Sequence, residues 1–195
     1  MSERITEQAP LLSIRDLKVA FRTQEGLREV LHGVSFDVFP GETVAIVGES
    51  GSGKSTTATA IVNLLPGTGT VTGGSITLEG RELTTLSRTA IESVRGRAIG
   101  FVPHDPMSNL DPSFTIGAQL VYGLRAARQM SKREARERIL ALLKRVGIRD
   151  AERVMTLYPH EISGGMAQRV LICGAVAPDP DIIIADEPTT ALDVT

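Results

Sequence analysis

The feature that most constrains the fold is a glycine-rich stretch, GESGSGKST, at residues 48–56. It fits the spacing G-x-x-x-x-G-K-[ST], in which a turn wraps its backbone N–H groups around phosphate oxygens. An apolar run at 42–47 precedes it. A helical pattern follows it, with one apolar face formed by Ala58, Ile61, Val62 and Leu65 and a stop at Pro66-Gly67. A strand, a tight turn and a helix in this order predict a nucleoside-triphosphate site, and they disfavour the alternative of a flexible surface loop.

Individual residues of this loop have distinct expected roles. The ammonium group of Lys54 is predicted to reach the β- and γ-phosphates of ATP, and the Ser55 hydroxyl is predicted to ligate Mg²⁺. Glycine lets the backbone approach the phosphates because it has no Cβ atom. The other loop residues expected to contact the nucleotide are Gly48, Glu49, Ser50, Gly51, Ser52, Gly53 and Thr56.

The rest of the chain alternates between strand and helix patterns. Residues 11–38 alternate in hydrophobicity as half-buried antiparallel strands do. Strands buried on both faces are predicted at 42–47, 98–102 and 182–185, and 70–80 is predicted to be strand broken by a Gly-Gly turn. Buried strands that alternate with helices predict an α/β fold with a mainly parallel sheet.

A more helical stretch runs from about 113 to 160. Ser131 and Glu134 have the spacing of a capping box, and Gly147 supplies a stop for the helix that they begin. The apolar face of that helix is predicted to comprise Ile139, Leu142, Leu143 and Val146.

Composition disfavours several classes of protein. The chain has 21 Lys+Arg, 23 Asp+Glu and 4% aromatic residues, so neither net charge nor stacking side chains support binding to nucleic acid. The single cysteine, Cys173, cannot form an internal disulfide and is expected in the core of a protein from a reducing compartment. The first ten residues lack the apolar segment of a signal peptide, and no apolar run reaches the ~20 residues that span a bilayer. Any connection to a membrane is therefore expected to come through a partner.

Two adjacent acids, Asp186 and Glu187, follow the apolar run at 182–185. Ligands of open α/β sheets bind at the carboxyl ends of the strands, so both acids are predicted to face the nucleotide. Asp186 would hold Mg²⁺ through its water shell, and Glu187 would orient and deprotonate the attacking water. A pair of solvated acids at a strand end is the alternative, and the phosphate loop makes it the weaker one.

Three motifs in order resemble the ATP-binding cassette ATPases. They are GESGSGKST, EISGGMAQRV at 161–170 and IIIADEPTTALD at 182–193. In the second, Ser163, Gly164, Gly165 and Gln168 match the signature of that family. A capping serine followed by glycines is also a helix start that can bind an anion. The resemblance implies that this segment serves the ATP of a second cassette, so that two subunits, in a homo- or heterodimer, enclose two nucleotides.

The residues of these motifs are most similar to those of the importer subfamily for peptides, nickel and related small solutes. That resemblance implies permease subunits in the membrane as partners, a peripheral position on the cytoplasmic face, and a solute that this chain does not bind. It also implies that Phe21 stacks on adenine, although a core phenylalanine in a strand is a serious rival. Asp193 matches the loop that contacts the opposing cassette in that family. Residues 105–165 resemble the helical subdomain that docks on the membrane subunits.

One residue departs from the family pattern. The family has glutamine where this chain has His104, in the segment PHDP. Imidazole has no carbonyl oxygen and suits Mg²⁺ poorly, but it could hydrogen-bond a water or donate to a phosphate. His104 is therefore a candidate catalytic residue, and the alternative is that it contributes nothing.

The chain stops at Thr195, before the switch histidine that the family carries. Residues 1–195 are accordingly expected to be one nucleotide-binding domain that is incomplete at its C-terminus.

Two other functions stay open. One is a cassette ATPase that acts on DNA or ribosomes, although the chain shows neither the long insertions nor the basic surface of such proteins. The other is a nucleotide-dependent binding module without turnover, suggested by His104 and by the missing switch histidine.

Overall fold

The computed structural model describes residues 9–188, apart from the side chain of Arg88. The chain forms two compact units that meet in sequence between Ile91 and Glu92. No helix within the described residues is long and apolar enough to cross a membrane.

The first unit contains a four-stranded antiparallel sheet. Its strands are β1 (Leu12–Thr23), β2 (Gly26–Val38), β3 (Gly69–Leu78) and β4 (Arg81–Glu82), in the order β2-β1-β3-β4. β1 pairs with β2 from Leu12 opposite Val38 to Thr23 opposite Gly26. The pleat of β1 buries alternate apolar side chains, among them Leu12 and Ile14. The antiparallel strands predicted within 11–38 are therefore confirmed.

The Gly73-Gly74 pair is not a turn, which corrects the sequence prediction. β3 passes through it without a break, opposite a bulge of β1 around Asp16 that shifts the register with both neighbouring strands. Gly74 has φ +82°, and a Cβ atom there would lie 2.3 Å from the carbonyl oxygen of Asp16. Glycine is needed at this point because the bulged backbone of the neighbouring strand comes so close.

The apolar run at 42–47 is not a buried strand, which corrects a second prediction. Residues 42–49 have no regular secondary structure, and Val47 is 91% exposed. A strand covered on both faces requires neighbouring strands, and within the described part of the first unit none pairs with this run. The following helix, α1 (Lys54–Ile61), is also shorter than expected, because it ends with Val62 as its C-cap rather than continuing to Leu65.

The second unit combines one pair of parallel strands with a cluster of helices. β5 (Ile99–Val102) and β6 (Ile182–Ala185) pair in parallel, and the described residues 9–188 add to this pair only an isolated parallel bridge between Arg95 and Ile99. β5 is largely buried, as predicted. β6 buries neither face completely, and Ile183 is 48% exposed, so the prediction of a fully buried strand at 182–185 is wrong.

The helices are α2 (Arg88–Val94) at the junction of the units, then α3 (Ile116–Ala127), α4 (Lys132–Arg145), α5 (Ala151–Val154) and α6 (Gly164–Val176), with a 3₁₀ turn at Pro159–Glu161. The predicted capping box at Ser131 and Glu134 is present at the start of α4. α3, α4 and α6 bury one apolar cluster, whose members include Ile116, Leu124, Ile139, Leu143, Val170 and Cys173. Burial raises the pKa of the Cys173 thiol to about 12, so it stays protonated and behaves as a core residue.

Arg128, just after α3, ties three backbone segments of the second unit together. Its guanidinium donates to the carbonyl oxygens of Pro178 at 2.6 Å, Asp179 at 2.9 Å and Arg97 at 3.4 Å. Two of these acceptors precede β6 and the third precedes β5. One side chain thus links the end of α3 to the approaches to both parallel strands.

Candidate functional site

The phosphate loop at 48–56 lies in the first unit and is shaped by its backbone. Gly53 is the N-cap of α1 and has φ +96°, a left-handed conformation that side chains disfavour. A Cβ atom on Gly53 would lie 2.5 Å from Cδ2 of Leu31 in β2, so neither conformation nor space admits a larger residue. The sheet therefore fixes the point at which the loop turns into α1.

Lys54 closes the loop from the other side. Its Nζ donates to the carbonyl oxygens of Gly48 and Glu49, both at 2.8 Å, so the ammonium group lies over the first residues of the loop. Ser55 and Thr56 follow in the first turn of α1, where backbone N–H groups have no intrahelical acceptor. A cation and a helix start together form a site for an anion with several oxygens.

Phe21, the predicted adenine-stacking residue, lies in β1 beside Gly69 of β3. Its ring is half-buried, and a Cβ atom on Gly69 would lie 2.7 Å from its Cε1. The ring therefore covers a glycine on one side and retains some exposure, and the stacking role stays a prediction.

The second group of predicted residues lies at the carboxyl ends of β5 and β6. The parallel register pairs Val102 with Ala185, and the Asp186 N–H donates to the Val102 carbonyl at 2.9 Å. The next residues of the two segments therefore emerge at the same edge. The Asp186 side chain is buried at 8% exposure, whereas Glu187 is exposed.

His104 and Glu187 are brought together at this edge. The imidazole Nδ1 lies 3.5 Å from the carboxylate Oε2, and the two side chains are 55% and 46% exposed. Glu187 has φ +48°, a left-handed backbone conformation that is uncommon for residues with a side chain and that Asp16, Asn63, Glu79 and Asp179 also adopt. The structure thus places the histidine that departs from the family pattern beside the predicted general base.

Asp105 holds the segment that carries His104, and sequence analysis missed it. Its carboxylate accepts from the Met107 N–H at 3.1 Å and from the Ser108 hydroxyl, and its carbonyl oxygen accepts from the Asn109 amide at 2.7 Å. The hydrogen bond from Ser108 lowers the pKa of Asp105 below its usual value. The spacing Asp-Pro-Met-Ser is a turn signal that could have identified this role.

The signature-like segment starts helix α6. Ser163 is the N-cap, and its hydroxyl accepts from the Met166 N–H at 3.3 Å, with Gly164 and Gly165 between them. Gln168, one turn later, is fully buried, and neither polar atom of its amide has a hydrogen-bond partner among residues 9–188. Asp193 lies outside the described residues.

Known proteins resemble this chain over nearly its whole length. The family model described as "ABC transporter" matches residues 31–190. The peptidoglycan transport ATP-binding protein YejF of Agrobacterium fabrum is 48% identical over 191 residues, which are 97% of this chain and 35% of that protein. The dipeptide transport ATP-binding protein DppD of Bacillus subtilis is 47% identical over 186 residues, which are 95% of this chain and 56% of that protein. The chain thus spans 35–56% of the length of these two relatives.

A solved structure shows the same fold. The dimeric post-hydrolysis state of the ATP-binding cassette MJ0796, bound to ADP and Pi, matches with a TM-score of 0.85 at 32% identity, over 94% of this chain and 76% of that chain. This likeness confirms the predicted α/β fold of the P-loop NTPase class.

Proposed function

The chain belongs to the ABC transporter family, and on that premise we propose that it binds and hydrolyses ATP to energise the import of a small solute. The phosphate loop is the observation that carries this proposal. Its left-handed Gly53 and the Lys54 ammonium over its opening suit a triphosphate, and α1 directs its N-terminus to the same place.

ATP is the substrate of the proposed reaction. Residues 48–56 bind its β- and γ-phosphates through backbone N–H groups and Lys54, and Phe21 stacks on the adenine. Ser55 and Asp186 are the residues that would hold Mg²⁺, since hydroxyl and carboxylate oxygens are the donors that this hard cation prefers. Mg²⁺ supplies charge stabilisation to the transferred phosphoryl group.

Glu187 is the proposed general base. It accepts a proton from the water whose oxygen attacks the γ-phosphorus, and the bond from that phosphorus to the β–γ bridging oxygen breaks to release ADP. Its exposed position at the end of β6 supports this role, because a base must reach solvent as well as substrate.

The proposed partners are a second cassette and a pair of permease subunits. The start of α6, with Ser163, Gly164 and Gly165, resembles the signature that contacts the nucleotide of the opposing cassette, to which Gln168 and Asp193 also belong by resemblance. The helical segment at 105–165 would dock on the permease from the cytoplasmic face of the membrane. Closure and reopening of the cassette dimer would drive the permease between its two states.

A phosphate-release assay tests the enzymatic part. The protein should release phosphate from ATP in the presence of Mg²⁺, and Glu187→Gln should lower kcat by about 10²-fold or more, because it removes the base. Glu152→Gln, an exposed substitution in the first turn of α5, is the matched control and should leave kcat unchanged. Binding of ATP without phosphate release would contradict hydrolysis and favour a nucleotide-dependent binding module.

A transport assay tests the solute class. The name of the Bacillus subtilis relative points to dipeptides, so right-side-out membrane vesicles loaded with ATP should take up a labelled dipeptide. Vesicles that carry the Glu187→Gln protein should not. ATP-dependent uptake of a labelled sugar or metal ion, without uptake of the dipeptide, would contradict the proposal that the transported solute is a peptide.

A further inference from the structure

The contact between His104 and Glu187 is not explained by nucleotide binding alone. We propose that His104 is a positioning residue, which donates from Nδ1 to Oε2 of Glu187 and thereby orients the carboxylate towards the attacking water. This inference rests on the proposed function, in which Glu187 is the general base. It differs from the expectation that His104 itself meets water or phosphate.

Both partners are fixed by the backbone that carries them. The parallel pairing of β5 with β6 and the hydrogen bond from the Asp186 N–H to Val102 set where the two segments leave the sheet. The Asp105 turn, closed by Met107, Ser108 and Asn109, holds the segment on the His104 side. The fold therefore brings the two segments close enough for the side chains of His104 and Glu187 to meet.

The conformation of Glu187 supports a role for orientation. Its positive φ is a strained backbone state, and such states persist where the surroundings determine them. The contact with His104 restricts the rotation of this partly exposed side chain, because a side chain that holds a partner loses rotamer freedom. The contact with Nδ1 selects those conformations in which Oε2 points to His104 and Oε1 points away from it.

The chemistry needs no proton on the reaction path to pass through the imidazole. The Nδ1–H bond stays intact, and Oε1 accepts the proton that leaves the attacking water. At 3.5 Å the contact is longer than a strong hydrogen bond, and catalytic hydrogen bonds of this kind tighten when substrate binds.

Two substitutions at position 104 distinguish the loss of the hydrogen-bond donor from the loss of side-chain volume. Asparagine places an amide N–H as far from Cβ as the imidazole Nδ1, whereas alanine places no donor there. We expect His104→Ala to lower kcat about tenfold or more, with the KM for ATP within about twofold of the native value, because only the orientation of the base is lost. His104→Asn should recover most of that kcat, and His160→Ala should leave it unchanged. Equal losses in the alanine and asparagine proteins, an unchanged kcat in His104→Ala, or a rise in KM alone would overturn the proposal.

A second measurement does not depend on turnover. Nitrogen-15 NMR of the imidazoles, in alkaline buffer where histidines are neutral, reports which nitrogen carries the proton. His104 should be protonated at Nδ1 in the native protein and should shift towards the Nε2 tautomer in Glu187→Ala, which removes the acceptor. His32, whose Nδ1 lies 3.4 Å from the Glu29 carboxylate, should not respond to that substitution. A His104 that is protonated at Nε2 in the native protein overturns the inference, whereas the expected tautomer without phosphate release would fault the proposed hydrolysis alone.

Discussion

The first turns of α4 and α6 can be compared directly, because both helices follow a serine in nearly the same extended conformation. Ser131 has φ −68° and ψ 159°, and Ser163 has φ −74° and ψ 160°. Each hydroxyl accepts from the backbone N–H three residues later, at 3.2 Å and 3.3 Å respectively. The cap itself is therefore the same in the two helices.

The residues after the cap differ. In α4, the Glu134 carboxylate reaches back to the Ser131 N–H at 2.8 Å and closes the turn. In α6 the corresponding residue is Met166, preceded by two glycines, so no carboxylate covers the turn. A serine cap therefore begins each helix, and the next three residues determine whether the start of that helix can also bind an anion.

The largest effect is expected when the third residue after the serine cap, Glu134 in α4 or Met166 in α6, is exchanged between the two helices. Met166→Glu puts a carboxylate where a phosphate of the opposing nucleotide is proposed to bind. ATP turnover should fall about tenfold or more, because like charges at a desolvated contact repel strongly. Phosphate release at saturating ATP measures the effect.

Glu134→Met is the reciprocal control for that exchange. It opens α4 in the same way but lies away from the proposed nucleotide contact, so turnover should stay within about twofold of native, while the melting temperature falls. Equal losses of turnover in the two proteins would show that the open start of α6 has no special role.

Removing each cap separately gives a smaller effect. Ser131→Ala and Ser163→Ala should each lower the free energy of unfolding by about 1 kcal/mol, since each loses one capping hydrogen bond. Only Ser163→Ala should also slow ATP turnover. Urea denaturation and phosphate release on both proteins measure the two effects, and slowed turnover in both would contradict a functional difference between the helix starts.

A further difference between the helices concerns the free energy of unfolding and involves the buried side chain of Gln168 in α6. Because its buried amide has no partner within the described residues, Gln168→Leu should raise the free energy of unfolding by about 1 kcal/mol. The matched control is Gln119→Leu in α3, where the amide donates to Asp111 and Phe114 and accepts from the Asp111 N–H. That protein should instead lose about 1 kcal/mol or more. Loss of stability in Gln168→Leu would mean that its amide is satisfied in solution.

The smallest expected effect concerns pH. Hydrogen bonds from Ser131 lower the pKa of Glu134 in the folded protein. The stabilisation that this carboxylate supplies is therefore fully present above its unfolded pKa of about 4.3, and it is lost as the pH falls through the lower folded value.

Urea denaturation at a series of pH values checks this sign. The stability difference between native and Glu134→Gln should shrink below about pH 4. The difference between native and Met166→Leu should not depend on pH, because methionine does not titrate. A Glu134 difference that persists at low pH would exclude a charged capping box.

Features determined within a few residues could be predicted from sequence, and those determined by distant neighbours could not. The capping box at Ser131 depends on adjacent residues, and its prediction is confirmed. The start of a helix after the glycine-rich loop is also predicted correctly from the adjacent residues, although the space at Gly53 is limited by the distant Leu31. The run at 42–47 was assigned to a strand because it is apolar, but its pairing depends on partners that periodicity does not reveal. The Gly73-Gly74 pair predicts a turn when only adjacent residues are considered. The structure needs glycine at position 74 for a different reason, which is the bulge of β1 at Asp16, nearly sixty residues earlier in the chain.

The site shows the same division. The motifs predict roles for the loop, the two acids and the start of α6, because each is a contiguous pattern. The contact of His104 with Glu187 depends on the parallel register of two strands eighty residues apart, and no local pattern contains it.

Arg128 has a mechanical consequence for this arrangement. Its three hydrogen bonds connect the end of α3 to the segments that lead into β5 and β6. A displacement of the end of α3 would have to break these hydrogen bonds or move the backbone segments that lead into both strands. Arg128 thus connects the helical cluster to the two strands whose far ends lead to His104 and Glu187.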